Sequence, residues 1–104
     1  MAEKRKYMRL AQEMPARHCL EAGIEVENTL AKDISAGGVR ICADKQLSVG
    51  SRLEIEVAIS AASSPYYALG EVVWLKENKN AGKKIFDMGI RFVRVINKSE
   101  TKGF

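Results

Sequence analysis

The sequence has few of the residues that carry catalysis or covalent cross-links. Its 104 residues include two cysteines, two prolines and one histidine, and aromatic residues make up only 7%. Cys19 and Cys42 are too few and too far apart for a disulfide framework or a CxxC site, so we interpret both as reduced core residues. His18 belongs to no set of residues with metal-ligand spacing. These gaps argue against an enzyme, against a bound metal or other cofactor, and against a disulfide-rich secreted domain.

Long apolar runs are also missing. No uninterrupted stretch approaches the roughly 18 residues that a membrane-spanning helix needs. The basic N-terminus is not followed by the apolar segment of a signal peptide. We therefore expect a cytoplasmic chain that does not insert into a membrane. The hydrophobic fraction of 46% and the charged fraction of 29% are ordinary for one globular domain.

The excess positive charge is concentrated in two segments. The whole chain has 17 basic and 13 acidic residues, a net charge of +4. Residues 1–9 and residues 76–84 each contain four basic residues and one acidic residue, a local net of +3. Two basic segments beside a nearly neutral body suit an anionic partner. For residues 76–84 we favour the simpler interpretation of a solvated hairpin tip.

Alternating apolar residues predict β-strands, and no segment has sustained helical periodicity. The clearest pattern is residues 52–60, where every second residue is a large aliphatic one. Glu54 and Glu56 share the other side of this strand, and we interpret them as its solvated face rather than as a catalytic pair.

Five further strand patterns follow the same logic. They occupy residues 24–30, 39–43, 66–75 and 86–92 and the segment around His18 and Cys19, whose side chains alternate to opposite faces. Val93 and Val95 continue the apolar side on the opposite parity, which predicts a bulge or a change of face near Phe92. Turn-forming residues separate the patterns, with loops expected at 33–38, 60–65 and 78–82. Six short strands in about 100 residues predict an all-β barrel or sandwich.

Two motifs carry recognisable chemistry. Asp33 and Ser35 precede a glycine pair, Gly37 and Gly38, in the loop between two predicted strands. Taken alone, this is turn chemistry, but it also supplies hydrogen-bonding groups beside backbone that a flat ligand can approach. In the N-terminal segment, two arginines stand four residues apart, at positions 5 and 9. Arginine binds phosphate bidentately and stacks on nucleobases.

In combination, these motifs resemble the PilZ domain, a bacterial receptor for cyclic di-GMP. The matching residues are Arg5, Arg9, Asp33, Ser35 and Gly38. Weaker resemblances are Gly50 before the clearest strand, the segment 70–74 and the segment 88–92. The resemblance covers residues 3–95 and implies a six-stranded antiparallel β-barrel. It also implies a flexible basic N-terminal arm at 1–15, a barrel at 16–96 and a short tail or helix at 97–104.

The resemblance further implies a role for each motif. The arginine arm would wrap over cyclic di-GMP, while Asp33 and Ser35 contact a guanine and Gly38 keeps the surface open. Additional candidates for ligand contact are Lys4, Gly37, Arg40 and Trp74. Trp74 is equally compatible with packing in the barrel.

The expected function is therefore a non-catalytic receptor that orders its arm on binding cyclic di-GMP and signals to an effector protein. Two alternatives remain at this stage. A small basic barrel can instead bind single-stranded nucleic acid through aromatic platforms, although few aromatics are available and no polymer is expected here. A barrel that has lost its ligand can also serve protein interaction alone, but the intact motifs speak against that.

Overall fold

The strands close into a barrel. The computed structural model describes residues 13–20, 26–60, 63–80 and 82–104. In chain order the strands are β1 (Met14–Leu20), β2 (Glu27–Lys32), β3 (Gly38–Ala43), β4 (Arg52–Val57), β5 (Tyr66–Asn80) and β6 (Lys83–Ile96). Around the barrel they follow the order β1-β2-β3-β6-β5-β4, with every pair antiparallel. The expected six-stranded antiparallel barrel is confirmed.

Several strand boundaries differ from those that the sequence predicts. β1 begins at Met14, two residues before the expected start of the barrel, because Met14 and Pro15 already pair with β2. β4 ends at Val57 rather than at 60, and β5 continues to Asn80. The expected loop at 78–82 is therefore mostly strand. Residues on the neighbouring strands stabilise the longer β1 and β5, and the local sequence does not reveal which residues these are.

The inner faces of the strands form one apolar core. Its completely buried members are Ala31, Ile41, Ile55, Val57, Ala68, Val72 and Met88. Cys19 is buried, as expected, but Cys42 is only half-buried. The expectation that Cys42 is a core residue is wrong, because Ile41 takes the inward position on β3 and Cys42 alternates to the outer face. Burial raises the pKa of both thiols.

Two β-bulges interrupt the long pairing between β5 and β6. One lies where Leu69 pairs with Arg94 and Gly70 pairs with Phe92, which leaves Val93 without a partner in the register. A bulge was one of the two outcomes predicted near Phe92, but Val93 and Val95 are exposed and do not continue the apolar face of the strand. The second bulge leaves Val73 out of register. Each extra residue bends its strand, which lets the longest hairpin curve around the barrel.

The C-terminal segment covers one outer face of the barrel. A 3₁₀ helix, Lys98–Glu100, follows β6, so the expected tail contains a single short turn of helix. Beyond it, the N–H groups of Lys102 and Gly103 donate to the carboxylate of Glu54, at 2.8 Å and 2.7 Å for the shorter contacts. Glu54 is only 4% exposed. The expectation that Glu54 is solvated is wrong, because the chain returns over it. No helix among the described residues has the length and apolar character needed to cross a membrane.

An aromatic and charged cluster completes this covered face. Arg17 forms an ion pair with Glu56, with 2.6 Å between Nε and Oε1, and the Tyr67 hydroxyl donates to the same carboxylate. The guanidinium of Arg17 lies 5.1 Å from the ring centroid of Phe104. These hydrogen bonds hold the pKa of Glu56 below its usual value. The outer face of β1 and β4 is thus occupied by the chain itself.

The variant Glu54→Ala tests this attachment. Loss of two charge-assisted hydrogen bonds at a buried site should lower the free energy of unfolding by about 1.5–3 kcal/mol. Chemical denaturation measures the loss, and hydrogen exchange should accelerate at the amides of Lys102 and Gly103. Glu77→Ala, at an exposed position of β5, is the control and should change stability by less than about 0.5 kcal/mol. Equal stability of the two variants would contradict the assignment.

Candidate functional site

The loop of residues 33–38, here called the motif loop, connects β2 to β3. Asp33 adopts a left-handed backbone with φ of 51°, and no other non-glycine residue in the described part has a positive φ. Aspartate tolerates this region better than most residues. Ile34 follows it and is 6% exposed, packed in the core. The left-handed turn and the buried isoleucine therefore fix the backbone position of Asp33 at the end of β2.

Hydrogen bonds hold the rest of the motif loop in shape. The Ser35 N–H donates to the Gly38 carbonyl at 2.9 Å, and the Gly37 N–H donates to Ser35 Oγ at 3.3 Å. The Phe92 N–H donates to the Gly37 carbonyl at 3.0 Å, which ties the loop to β6. Ser35 thus has a structural role in the loop, and its hydroxyl keeps a donor hydrogen for a further contact.

The two glycines of the motif loop serve different purposes. A Cβ on Gly38 would collide with the carbonyl oxygen of Ile90, so glycine is required for β3 to pair closely with β6. A Cβ on Gly37 would meet nothing within 4 Å. Gly38 therefore supports the barrel, while the exposed backbone at Gly37 is open to a ligand.

Arg40 lies between two carboxylates on the outer face of β3. Its Nε and Nη2 atoms are 3.2 Å and 3.1 Å from Asp33 Oδ2. Its Nη1 atom is 3.9 Å from Asp87 Oδ1 on β6. The other oxygen of Asp87, Oδ2, accepts a hydrogen bond of 2.6 Å from Asn78 Nδ2 on β5. Three strands and the motif loop thus contribute to one polar network.

Trp74 lies beside this network. Arg40 on β3 pairs with Gly89 on β6, and Gly89 pairs with Trp74 on β5, so the three residues form one row across the sheet. The indole covers Gly89 so closely that a Cβ there would overlap its Nε1 atom. Trp74 is 42% exposed. It is therefore a surface aromatic that packs against the outer face of the barrel at Gly89 and keeps part of its indole exposed.

We call this surface the open face, defined by Asp33, Arg40, Trp74, Asp87 and Gly89. The structure brings Asp33, Ser35, Gly37, Gly38, Arg40 and Trp74 together at or beside it. Lys4, Arg5 and Arg9 lie outside the described residues. Sequence reasoning missed Asp87, Gly89 and Asn78 as parts of the site. Alternation placed Asp87 and Gly89 on the polar side of their strand, but nothing local showed that β3 would be their neighbour.

The chemistry of the open face is that of recognition. A carboxylate, a guanidinium, a hydroxyl and an exposed indole can bind a planar ligand that combines hydrogen-bonding edges with negative charge. The described residues contain no cluster of three or more His, Cys, Asp or Glu side chains that could hold a metal ion. His18 is buried elsewhere in the barrel, and its burial lowers its pKa.

One family model matches almost the entire chain. It is the model of the PilZ domain family, which matches residues 3–102. The chain belongs to the PilZ domain family. Comparison with curated proteins gives no significant match. The match includes the N-terminal arginines, although these lie outside the described residues.

Solved structures show the same PilZ fold. The inhibitor of motility MotI (DgrA) of Bacillus subtilis superposes with a TM-score of 0.70 at 19% identity, over 94% of this chain and 46% of MotI. The PilZ domain of YcgR from Escherichia coli, solved with c-di-GMP, has a TM-score of 0.65 at 19% identity, over 88% of this chain and 79% of that one.

A third similar structure is that of MrkH, a c-di-GMP-dependent transcription regulatory factor. Its TM-score is 0.60 at 16% identity, over 90% of this chain and 45% of MrkH. This PilZ domain therefore spans about half the length of MotI and of MrkH.

The variant Gly89→Ala tests how Trp74 is held. The added methyl group must displace the indole, because it would overlap Nε1. Trp74 is the only tryptophan in the chain, so its fluorescence emission should shift to longer wavelength while the circular dichroism stays that of a folded β-barrel. Gly37→Ala, with open space around the new Cβ, should leave the emission unchanged. An unshifted spectrum in Gly89→Ala would contradict the contact.

Proposed function

We propose that this PilZ domain is a non-catalytic receptor that binds cyclic di-GMP on its open face and signals to an effector protein in the cytosol. One observation carries the proposal: Asp33, Arg40 and Trp74 come from three parts of the chain and converge on one exposed face. The shared fold with the YcgR PilZ domain, solved with c-di-GMP, supports the choice of ligand. No metal or cofactor takes part in such binding.

Asp33 is suited to reading guanine. A carboxylate can accept both the N1–H and an N2–H hydrogen of the guanine edge, which adenine does not offer together. Asp33 has a left-handed backbone and belongs to the same loop as the exposed Gly37. Ser35 lies two residues further on and retains a hydroxyl donor for the base or the ribose.

Trp74 provides a surface on which a base can stack. Stacking of a nucleobase on an aromatic side chain contributes about 1–3 kcal/mol. Trp74 on β5 and Arg40 on β3 are separated by one strand, β6. At normal strand spacing, the backbones of these two residues are therefore about 10 Å apart. A dinucleotide can therefore reach both Asp33 and Trp74.

The arginine arm is within reach of the motif loop. Met14 pairs with Ala31, and the two strands are antiparallel, so the N-terminal end of β1 lies beside the end of β2 that leads into Asp33. Arg9 lies five positions before Met14, and five extended residues span at most about 18 Å. Arg5 and Arg9 can therefore close over a ligand bound at Asp33, with Lys4 near an additional phosphate.

Ordering of this arm would transmit the signal. A basic arm that closes on the two phosphates of the ligand changes the surface beside β1 and β2, and an effector protein can recognise the changed surface. MotI is named as an inhibitor of motility and MrkH as a transcription regulatory factor. Outputs of either kind are compatible with a small receptor domain that acts through a partner.

Calorimetric titration with cyclic di-GMP tests the ligand and the arm together. Arg9→Ala and Asp33→Asn each remove a charge-assisted contact of about 1.5–3 kcal/mol, so affinity should fall about 10- to 150-fold. Asparagine is chosen at position 33 because it also tolerates the left-handed backbone. Hydrogen exchange in residues 1–12 should slow when the ligand binds to the wild type.

Arg94→Ala is the matched control for the arm variant. Arg94 lies on the distal part of β6, where it pairs with the exposed Glu100 at 3.3 Å. Its removal should change affinity for cyclic di-GMP by less than about twofold. If Arg9→Ala binds as tightly as wild type, the arm has no part in the site.

Salt dependence separates this proposal from binding of single-stranded nucleic acid. Each phosphate contact with a single strand contributes about −0.7 to the slope of log K against log salt concentration. Two phosphates should therefore give a slope no steeper than about −1.4 for cyclic di-GMP. Titration at several salt concentrations measures the slope, with a single-stranded oligonucleotide as the comparison. Tight, steeply salt-dependent binding of the oligonucleotide would favour the alternative.

A further inference from the structure

Arg40 is shared unequally between two acidic residues. Its guanidinium makes two contacts near 3.1–3.2 Å to Asp33 Oδ2, whereas Asp87 Oδ1 is 3.9 Å from Nη1 and beyond hydrogen-bond distance. The side chains of Asp33 and Asp87 are 20% and 15% exposed, so neither carboxylate is fully hydrated. In the described structure, Arg40 therefore forms its ion pair with Asp33.

Asp87 is left incompletely satisfied by this arrangement. Asn78 donates to Oδ2, but Oδ1 is buried and accepts no hydrogen bond from the described residues. A buried carboxylate oxygen that no donor reaches costs free energy, so a donor that moves to it lowers that cost. The guanidinium of Arg40 is the cation that lies against this oxygen.

We infer that Arg40 exchanges between the two carboxylates, leaving Asp33 for Asp87 when a guanine binds. The inference rests on the proposed function, because the two hydrogens of the guanine edge need both carboxylate oxygens, including Oδ2, to which Arg40 now donates. Arginine stays charged throughout, so its displaced guanidinium requires another acceptor. A shift of about 1 Å brings Nη1 from its present distance into hydrogen-bond range of Asp87 Oδ1.

The exchange makes Arg40 and Asp87 specificity-determining residues. While Arg40 holds Asp33, a base displaces it only by donating hydrogens to the carboxylate, and a base that offers an acceptor there gains nothing. Asp87 lowers the cost of the displacement by receiving the guanidinium. Asp87 thus acts through Arg40, without contact to the ligand, as a positioning residue.

A double-mutant cycle on the full chain tests the exchange. Cyclic di-GMP affinity is measured for wild type, Asp87→Asn, Arg40→Gln and the double variant. In Asp87→Asn the amide oxygen keeps the hydrogen bond from Asn78, so the amino group faces Arg40 and the guanidinium has no acceptor. Asp87→Asn should weaken binding about three- to tenfold when Arg40 is present and by less than about twofold when residue 40 is glutamine.

Asp44→Asn is the matched control. Asp44 is exposed just after β3 and away from the network, so its variant should bind like wild type. Thermal denaturation checks that every variant folds, and Asp87→Ser supplies the same loss of charge if Asp87→Asn does not fold. Equal weakening by Asp87→Asn in both backgrounds, or no weakening in either, overturns the exchange.

The NMR resonance of the Arg40 Nε–Hε group reports directly on the exchange of Arg40 between the two carboxylates. The signal is assigned by its loss in Arg40→Gln. Without ligand it should respond to Asp33→Asn but not to Asp87→Asn, and with saturating cyclic di-GMP it should respond to Asp87→Asn. Wild type that binds the ligand with an unchanged resonance overturns the exchange alone. Wild type that gives no heat of binding overturns the proposed function, and the exchange with it.

Discussion

The close pairing of β3 with β6 is the constraint on which the site depends. These strands are distant in sequence, and they approach so closely at Gly38 that a side chain there would strike the Ile90 carbonyl. The pairing sets Arg40 beside Gly89 and, through β5, aligns Trp74 in the same row. It also brings Asp87 to Arg40. Without this contact the motif loop would be an ordinary turn and Trp74 an isolated surface aromatic.

The two outer faces of the barrel differ because the chain covers one of them. Glu54 is buried beneath the C-terminal segment, where backbone amides satisfy its carboxylate, and Phe104 packs between Arg17 and Tyr67. No described segment covers the open face in this way. Among the described residues, Arg40 contacts Asp33 and lies near Asp87. This position of Arg40 leaves Asp87 Oδ1 without a hydrogen bond from the described residues, which suits a surface that exchanges partners.

Local sequence predicted much of the fold. The alternation in residues 52–57 and 39–43 identified buried positions correctly, and the change of parity after Phe92 coincides with a bulge. Two of the errors have one origin. Glu54 was expected in solvent because its strand alternates, and the returning C-terminal segment buried it. The loop expected at 78–82 became strand because β5 and β6 stabilise each other there. Both of these errors concern a neighbour that is remote in sequence, whereas the error on Cys42 concerns the alternation of β3 itself.

The candidate site also contains two kinds of residues, those that local sequence identifies and those that only strand pairing places there. Asp33, Ser35, Gly38 and the arginines at 5 and 9 form short motifs, and residue type and spacing suffice to single them out. The roles of Asp87, Gly89 and Asn78 follow from the strand order, which places β6 between β3 and β5. Alternation determines which side of a strand a residue occupies, because the backbone repeats every two residues. It carries no information about which strand lies alongside, since that depends on packing summed over the whole barrel.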